Sequence, residues 1–149
     1  MVLTAERPPG TGEVRILALD VGKKRIGLAV SDPLGLTAQG LGVLERQEWD
    51  RDLARLVDLA RPYRVQEVLV GIPRHLDGRL GEQAEENLVL ARALGEALGA
   101  TVATWDERLS TVEAERLLIK ADLSRRKRRR VVDQVAASLI LQAYLDARH

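Results

Sequence analysis

The stretch ILALDVGKKRIGLAV, residues 16–30, constrains the fold most, because an acid interrupts a strand pattern there. Alternation places Asp20 on one strand face with Ile16 and Ala18, and places the neighbouring leucines and Val21 on the other face. An ionised carboxylate among apolar neighbours is costly unless a cation or hydrogen-bond donors compensate it. The pattern therefore predicts a strand that ends in a polar site, where a cation or hydrogen-bond donors compensate the charge of Asp20.

Length and residue usage bound the class of protein. The 149 residues predict one domain, residues 15–149, after an N-terminal segment, 1–14, whose prolines and glycines predict disorder. The chain has no cysteine, which excludes disulfides and thiolate metal sites and favours a reducing compartment. No apolar run approaches about 18 residues, and no secretory pattern opens the chain. We therefore expect a cytoplasmic protein and no membrane partner.

The net charge of +1 conceals an uneven distribution of charge. Six consecutive cations occupy 125–130, whereas residues 81–87 are acidic. Adjacent like charges repel, so the basic run predicts a solvated, mobile loop, which either is a plain exposed loop or contacts an anion or nucleic acid. Because the chain has no Phe, two Trp and two Tyr, stacking on bases is disfavoured, and nucleic acid would be held through its phosphates.

Hydrophobic periodicity predicts an α/β fold with a mixed sheet. Three strands form an antiparallel meander, and two later strands, separated by helices, are parallel. The predicted strands are 15–21, 26–31, 40–46, 65–73 and 101–105. The first predicted helix runs from Trp49 to Pro62, with Leu53, Leu56, Val57 and Ala60 inward. The second runs from 82 to 98, with Leu88, Ala91, Leu94 and Leu98 inward, and ends at Gly99. A third runs from the capping box Ser110–Glu113 to Ala121, and a last helix runs from 131 to near the C-terminus.

Three acidic positions lie where structure alone would not put them. Asp20 interrupts the first strand, and Asp106 and Glu107 follow the last predicted strand at its carboxyl end, where α/β sheets place their ligands. Asp133 lies in the first turns of the last helix, on a stripe of small residues that allows close approach to the sheet. We expect these carboxylates to converge.

Converging carboxylates repel each other unless a divalent cation neutralises them, and oxygen-only ligands suit Mg²⁺ or Mn²⁺. Each acid also has a simpler interpretation. Asp20 could accept hydrogen bonds from the turn at Gly22, Asp106 and Glu107 could charge the start of the next helix, and Asp133 could interact with a helix dipole or a neighbouring arginine. The combination favours the metal site.

Four motifs in order resemble one family. The segments LDVGKKRIGLAVSD, VGIPRHLDG, DERLSTVEA and VDQVAAS are similar to the signature of the YqgF/RuvX family of RNase H-like Holliday junction resolvases and pre-16S ribosomal RNA nucleases. The resemblance implies an RNase H-like mixed sheet, three antiparallel then two parallel strands, flanked by helices. It places the family's catalytic, metal-binding acids at Asp20, Glu107 and Asp133. One departure is His75, where the family tends to have Asn; we expect this His to be a surface residue.

The resemblance implies metal-dependent phosphodiester hydrolysis, with two Mg²⁺ or Mn²⁺ ions at catalysis. Candidate nucleic-acid-binding residues are Lys23, Lys24 and Arg25 of the first turn, Arg108, Ser110 and Thr111 at a helix start, and Arg125, Arg126, Arg128 and Arg129 of the basic run. For the first turn, a merely solvated hairpin is the alternative.

The substrate stays open between two nucleic acids. We favour 5′-end processing of pre-16S ribosomal RNA, in a ribosomal context, over resolution of Holliday junctions in DNA recombination and repair. Junction resolution needs two symmetric cuts and hence a homodimer. A non-catalytic nucleic-acid-binding module is a further alternative, which the intact set of acids disfavours. A phosphotransferase of the actin/hexokinase type needs two domains, for which the chain is too short.

Overall fold

The computed structural model describes residues 15–73, 78–107 and 125–148, with the side chains of 125–134 excepted. Its strands are β1 (Ile16–Val21), β2 (Arg25–Ser31), β3 (Ala38–Glu45), β4 (Glu67–Ile72) and β5 (Thr101–Asp106). Its helices are α1 (Trp49–Ala60), followed by a 3₁₀ turn over Arg61–Tyr63, α2 (Glu82–Leu98) and α3 (Arg125–Arg148).

Antiparallel and parallel pairing meet at β1, in the centre of the sheet. The strand order is β3-β2-β1-β4-β5, with β1–β2 and β2–β3 antiparallel and β1–β4 and β4–β5 parallel. The predicted mixed sheet is therefore confirmed. Because β1, β4 and β5 are parallel, their carboxyl ends lie on the same side of the sheet. We call this line of strand ends the carboxyl edge.

The two faces of the sheet carry separate cores. Leu17 and Leu19 belong to the core that α1 and α2 cover, whereas Ile16 and Ala18 belong to the core that α3 covers. The alternation predicted for β1 is thus confirmed, and it puts Asp20 on the face of α3.

The helix α3 runs in the opposite direction to β4. Its Tyr144 hydroxyl donates a 2.9 Å hydrogen bond to Glu67 at the start of β4. A Cβ added to Gly71, near the end of β4, would lie 2.7 Å from Ile140 Cδ1, one turn earlier in α3. The N-terminal half of α3 therefore extends toward the carboxyl edge.

The helix α2 has the predicted bounds. Gly99 ends it in the left-handed conformation, with φ at +68°, and the N–H of Ala100 donates to the carbonyl of Gly95 at 2.8 Å. Ala91 and Leu94 are buried as predicted. The predicted inward residues Leu88 and Leu98 are only half-buried.

The prediction for α1 is wrong in one respect. Trp49, expected on the inward face, is 40% exposed, whereas Asp52 is 1% exposed and shares the buried stripe with Leu56 and Ala60. Hydrophobic periodicity cannot anticipate a buried acid. Asp52 takes the inward position because the preceding segment supplies a donor and a cation for it.

The expectation of a mobile loop at 125–130, with a helix from 131, is also wrong. The helix α3 already begins at Arg125. Arginine and lysine are good helix formers, and 125–148 contains neither proline nor glycine. Extending a helix whose later turns are packed also avoids the cost of nucleation, so charge repulsion does not end it.

Three smaller points concern the extent of the elements. The third strand begins two residues earlier and ends one residue earlier than expected, at Ala38–Glu45. The predicted helix from Ser110 to Ala121 lies outside the described residues, as do residues 1–14. None of the helices in the described part of the chain is long and apolar enough to cross a membrane.

Candidate functional site

Asp20 lies at the carboxyl edge, on the face of α3. It pairs with Gly27 of β2 and is half-buried, although the preceding Leu19 is fully buried. On its other side, the β1–β4 register pairs Leu19 with Val70, so the next position along each strand brings Asp20 beside Gly71. The sheet thus holds the Asp20 backbone from both sides.

The Glu107 carboxyl group occupies the space above Gly71. A Cβ on this glycine would lie 3.2 Å from Glu107 Oε1 and 2.7 Å from Ile140 Cδ1. The absence of a side chain in β4 therefore lets the carboxyl group of Glu107, which follows β5, lie across β4 toward β1. Neighbouring strands are about 4.8 Å apart, so Asp20 and Glu107 occupy adjacent places on one face.

Asp106 belongs to the opposite face. It was expected just after the strand but is the last residue of β5, paired with Ile72. Alternation groups it with Val102, which packs against the core beneath α1 and α2. Of the two adjacent acids, only Glu107 thus lies on the face that carries Asp20.

The backbone of α3 places position 133 on the stripe that faces the sheet. Ala136 and Ala137, three and four residues later, are fully buried, and so is Ile140. A rise of about 1.5 Å per residue puts position 133 roughly 10 Å before Ile140, toward the carboxyl edge. The side chain of Asp133 lies outside the described part. Among the described side chains, no group of three or more His, Cys, Asp or Glu is arranged to hold a metal ion.

Two lysines project from the turn between β1 and β2 at the same edge. The N–H of Gly22 donates to the carbonyl of Arg25 at 2.9 Å and closes the turn, and Lys23 and Lys24 are exposed. Arg25 is half-buried, with Nη1 3.9 Å from Glu45 Oε2. The two lysines are therefore better placed than Arg25 to meet an incoming anion.

The structure describes only part of the remaining predicted site residues. Arg108, Ser110, Thr111 and His75 lie outside the described residues. The structure places the backbone of the other four in the first turns of α3, while their side chains are among those excepted: Arg125, Arg126, Arg128 and Arg129.

Sequence reasoning missed a buried amide beneath the site. Asn87 of α2 is 1% exposed, and its Nδ2 lies 3.5 Å from the carbonyl oxygens of Val21 and Gly71, at the limit of hydrogen bonding. Its Oδ1 accepts a 2.7 Å hydrogen bond from Gln83 Nε2. The amide thus links the ends of β1 and β4. The available signal was its position four residues before Ala91 on the inward stripe.

The central strand with an acid at its end, the mixed sheet order and the second acid beyond β5 define an RNase H-like domain. The sequence profile described as "RuvX: Holliday junction resolvase" matches residues 14–147. The chain therefore belongs to the RuvX family.

Two comparisons illustrate the relationship in sequence. A protein of Moorella thermoacetica named "Putative pre-16S rRNA nuclease" is 56% identical over 133 residues, which cover 89% of this chain and 95% of that protein. A protein of the same name from Desulforamulus reducens is 49% identical over 134 residues, 90% of this chain and 98% of its own length.

Solved structures share the fold at low sequence identity. RuvC of T. thermophilus, in complex with a Holliday junction substrate, has a TM-score of 0.57 at 17% identity, covering 91% of this chain and 95% of its own. The fowlpox virus Holliday junction resolvase has a TM-score of 0.54 at 15% identity, covering 90% and 99%. This likeness concerns the fold alone.

Proposed function

We propose that this chain is a divalent-metal-dependent nuclease that hydrolyses phosphodiester bonds during 5′-end processing of pre-16S ribosomal RNA in the cytoplasm. The observation that carries the proposal is the Glu107 carboxyl group above Gly71, beside the strand position of Asp20. The names of the relatives that match nearly their whole length support the choice of ribosomal RNA.

The donors at the site fit Mg²⁺ or Mn²⁺. Asp20 and Glu107 offer carboxylate oxygens, and the chain contains no cysteine that would favour a softer metal. Such ions need only one or two carboxylates and take water and substrate phosphate as further ligands. Asp133, on the sheet-facing stripe of α3, is the proposed third ligand.

Bound at these acids, one or two divalent ions would supply an activated water and stabilise the charge of the leaving oxygen. The protein itself orients the site. The β1 ladder holds Asp20, and the space above Gly71 admits the Glu107 carboxyl group. The two acids are therefore close together before substrate arrives, so little rearrangement is required of them.

Cations at the same edge bind the phosphate backbone in this proposal. Lys23 and Lys24 extend from the first turn, and the basic start of α3 runs outward past the edge. Arg25 contributes from the base of the turn, and Arg108, Ser110 and Thr111 follow Glu107 in the chain. Phosphate contacts of this kind supply affinity without base specificity.

A second candidate is Holliday junction resolution, which the description of the family profile favours. The same hydrolysis would serve a four-way DNA junction. Two symmetric cuts require two copies of the site, so this candidate also requires a homodimer.

The test is a cleavage assay on three labelled substrates: ribosomal precursor RNA, single-stranded RNA and four-way junction DNA. Each is incubated with purified protein and Mg²⁺, Mn²⁺ or chelator. We expect metal-dependent cleavage of the precursor at its 5′ side. Paired symmetric cuts of the junction by a dimer would favour the second candidate, and binding without cleavage of any substrate would indicate a non-catalytic module.

Asp20→Asn serves as the decisive variant. Removing the charge from the end of β1 should abolish cleavage while folding stays intact, since the ladder around residue 20 is made by backbone groups. Asp58→Asn, in an exposed position of α1, is the matched control and should cleave normally. Full activity of the Asp20 variant would contradict the proposed site.

A further inference from the structure

The turn that carries Lys23 and Lys24 is held by an arginine far along the chain. Arg46 follows β3, and its Nη1 donates a 2.9 Å hydrogen bond to the carbonyl of Gly22. Its own backbone N–H donates to the carbonyl of Lys24 at 2.8 Å. Arg46 thus contacts the turn on both sides of Lys23.

A buried acid holds that arginine. Asp52 of α1 is 1% exposed, and its Oδ2 lies 3.7 Å from Arg46 Nε. Its Oδ1 accepts a 2.8 Å hydrogen bond from the N–H of Gln47. Since a buried carboxylate is costly without a cation, Asp52 and Arg46 constrain each other. The helix anchors the pair, because Leu56, one turn beyond Asp52, is fully buried.

Beside the pair, the described part of the chain leaves a depression next to the turn. This polar depression has a volume of about 640 Å³ and is lined by Lys23, Arg46, Gln47, Glu82, Gln83 and Glu86. Among the described residues, the hydrogen bonds of Arg46 thus support the turn on the side of this depression.

We propose that Arg46 and Asp52 are positioning residues, which fix the turn Gly22–Arg25 so that Lys23 and Lys24 meet the substrate backbone. The inference rests on the proposed function. Asp20 is held by strands on both sides, whereas the turn lies beyond the last β1–β2 pair, Val21 with Ile26. Loss of the pair should therefore weaken substrate binding and leave the hydrolysis step unchanged.

The test is a double-mutant cycle. Asp52→Asn removes the charge but keeps an oxygen for the Gln47 amide, and Arg46→Lys keeps the charge but shortens the reach to Gly22. Each is made in the unaltered chain and in a Lys23→Ala/Lys24→Ala background. KM and kcat are measured on precursor RNA, and affinity is measured with chelator present.

In the unaltered background we expect KM to rise by roughly five- to eightfold, the effect at 0.1 M salt of one phosphate contact. The value of kcat should stay near that of the unaltered protein. In the double-lysine background the same substitutions should change KM little, because the groups that they position are gone. Equal effects in both backgrounds, or a loss of kcat with KM unchanged, would overturn the inference.

Ser31→Ala is the control for lost stability. The buried Ser31 hydroxyl accepts a 2.9 Å hydrogen bond from the N–H of Ile16, at the opposite end of β1. This variant should lower Tm with KM unchanged. A KM rise in Ser31→Ala equal to that in Asp52→Asn would show that the effect is general destabilisation.

Amide hydrogen exchange separates this inference from the proposed function. Loss of the pair should accelerate exchange at Gly22 and Arg46, while Ser31→Ala should not. An unaltered protein that neither cleaves nor binds nucleic acid would overturn the proposed function and the role of the lysines, yet exchange would still report whether the pair fixes the turn. Unchanged exchange in both pair variants would overturn the positioning itself.

Discussion

At the residue scale, the candidate site depends on Gly71, which has no side chain that could take part in a reaction. Gly71→Ala should weaken Mn²⁺ binding, because the new Cβ would lie 3.2 Å from Glu107 Oε1 and 2.7 Å from Ile140 Cδ1. Overpacking of this kind costs about 1–3 kcal/mol in the free energy of unfolding. Calorimetric Mn²⁺ titration and thermal unfolding measure the two effects.

Ile140→Val separates these two consequences of Gly71→Ala. The shorter side chain lacks the Cδ1 atom that the new methyl group would approach, so the double variant should regain part of its stability. The contact with Glu107 remains, so its metal affinity should stay low. Full recovery of Mn²⁺ affinity in the double variant would contradict the role given to the space above Gly71.

Two adjacent acids offer a matched comparison. Glu107→Gln should lower Mn²⁺ affinity markedly and abolish cleavage, whereas Asp106→Asn should retain both, because alternation groups Asp106 with Val102 on the other face. Asp133→Asn should resemble Glu107→Gln. Metal titration and single-turnover cleavage are the measurements. If Asp106→Asn loses metal and Asp133→Asn does not, Asp106 is the ligand instead.

At the element scale, helix geometry separates the positions of the basic run by face. At about 100° per residue, positions 126 and 129 fall within roughly 40° of position 133, whereas 127 and 128 fall roughly 120° or more away. Arg126→Ala/Arg129→Ala should therefore weaken nucleic-acid binding more than Lys127→Ala/Arg128→Ala, although both pairs remove two charges.

Salt dependence measures that difference. Loss of two phosphate contacts should flatten the slope of log affinity against log salt by about 1.4 to 1.8, with a smaller change in the control pair. The cleavage rate at saturating substrate should stay near that of the unaltered protein. Equal slopes for the two pairs would mean that the segment acts through net charge and not through one helix face.

A carboxyl group in the hairpin between β2 and β3 makes the stability of the fold depend on pH in the acidic range. Asp32 Oδ1 accepts hydrogen bonds from the amides of Thr37 and Leu36, both at 2.7 Å, and Oδ2 accepts one from Leu34 at 3.3 Å. The bond from Thr37 is the largest cause that lowers the pKa of Asp32 below 3.8, with burial opposing it.

A carboxyl group with a lowered folded-state pKa stabilises the fold above its unfolded pKa and loses that effect as pH falls through the folded value. Asp32→Asn should therefore lower Tm at pH 7, and the difference from the unaltered protein should shrink as pH falls below about 4. Circular dichroism melts across this range measure it, with Asp58→Asn as control. A Tm difference that is the same at pH 7 and pH 2 would contradict the assignment.

At the scale of the whole molecule, the first 14 residues should be dispensable. A chain that begins at Arg15 should keep its Tm and its cleavage rate, because the prolines and glycines of residues 1–14 predict disorder. It would retain the Arg15 carbonyl, which accepts a 2.9 Å hydrogen bond from the N–H of Gln66. A chain that begins at Leu17 should be destabilised, since it lacks the buried Ile16. Thermal unfolding and the cleavage assay compare the three chains, and a lower Tm on removal of residues 1–14 alone would contradict the predicted domain boundary.

Local patterns explain what could be predicted from the sequence. The face of Asp20 follows from strand alternation, and the end of α2 follows from Gly99, which adopts a positive φ without strain. The order of strands and helices predicted a mixed sheet because parallel strands need crossover connections. The first two features depend on residues close together in the chain, and the strand directions follow from the type of connection between successive elements, so the sequence alone determined them.

Tertiary structure decided the features that depend on distant partners. Asp52 is buried because Arg46 lies against it, and the Glu107 carboxyl group lies on the face of Asp20 because Gly71, on another strand, leaves room. The basic run is helical because the later turns of α3 are packed on the sheet. Burial and compensation of charge depend on which groups the fold brings together, and periodicity along one segment carries no information about them.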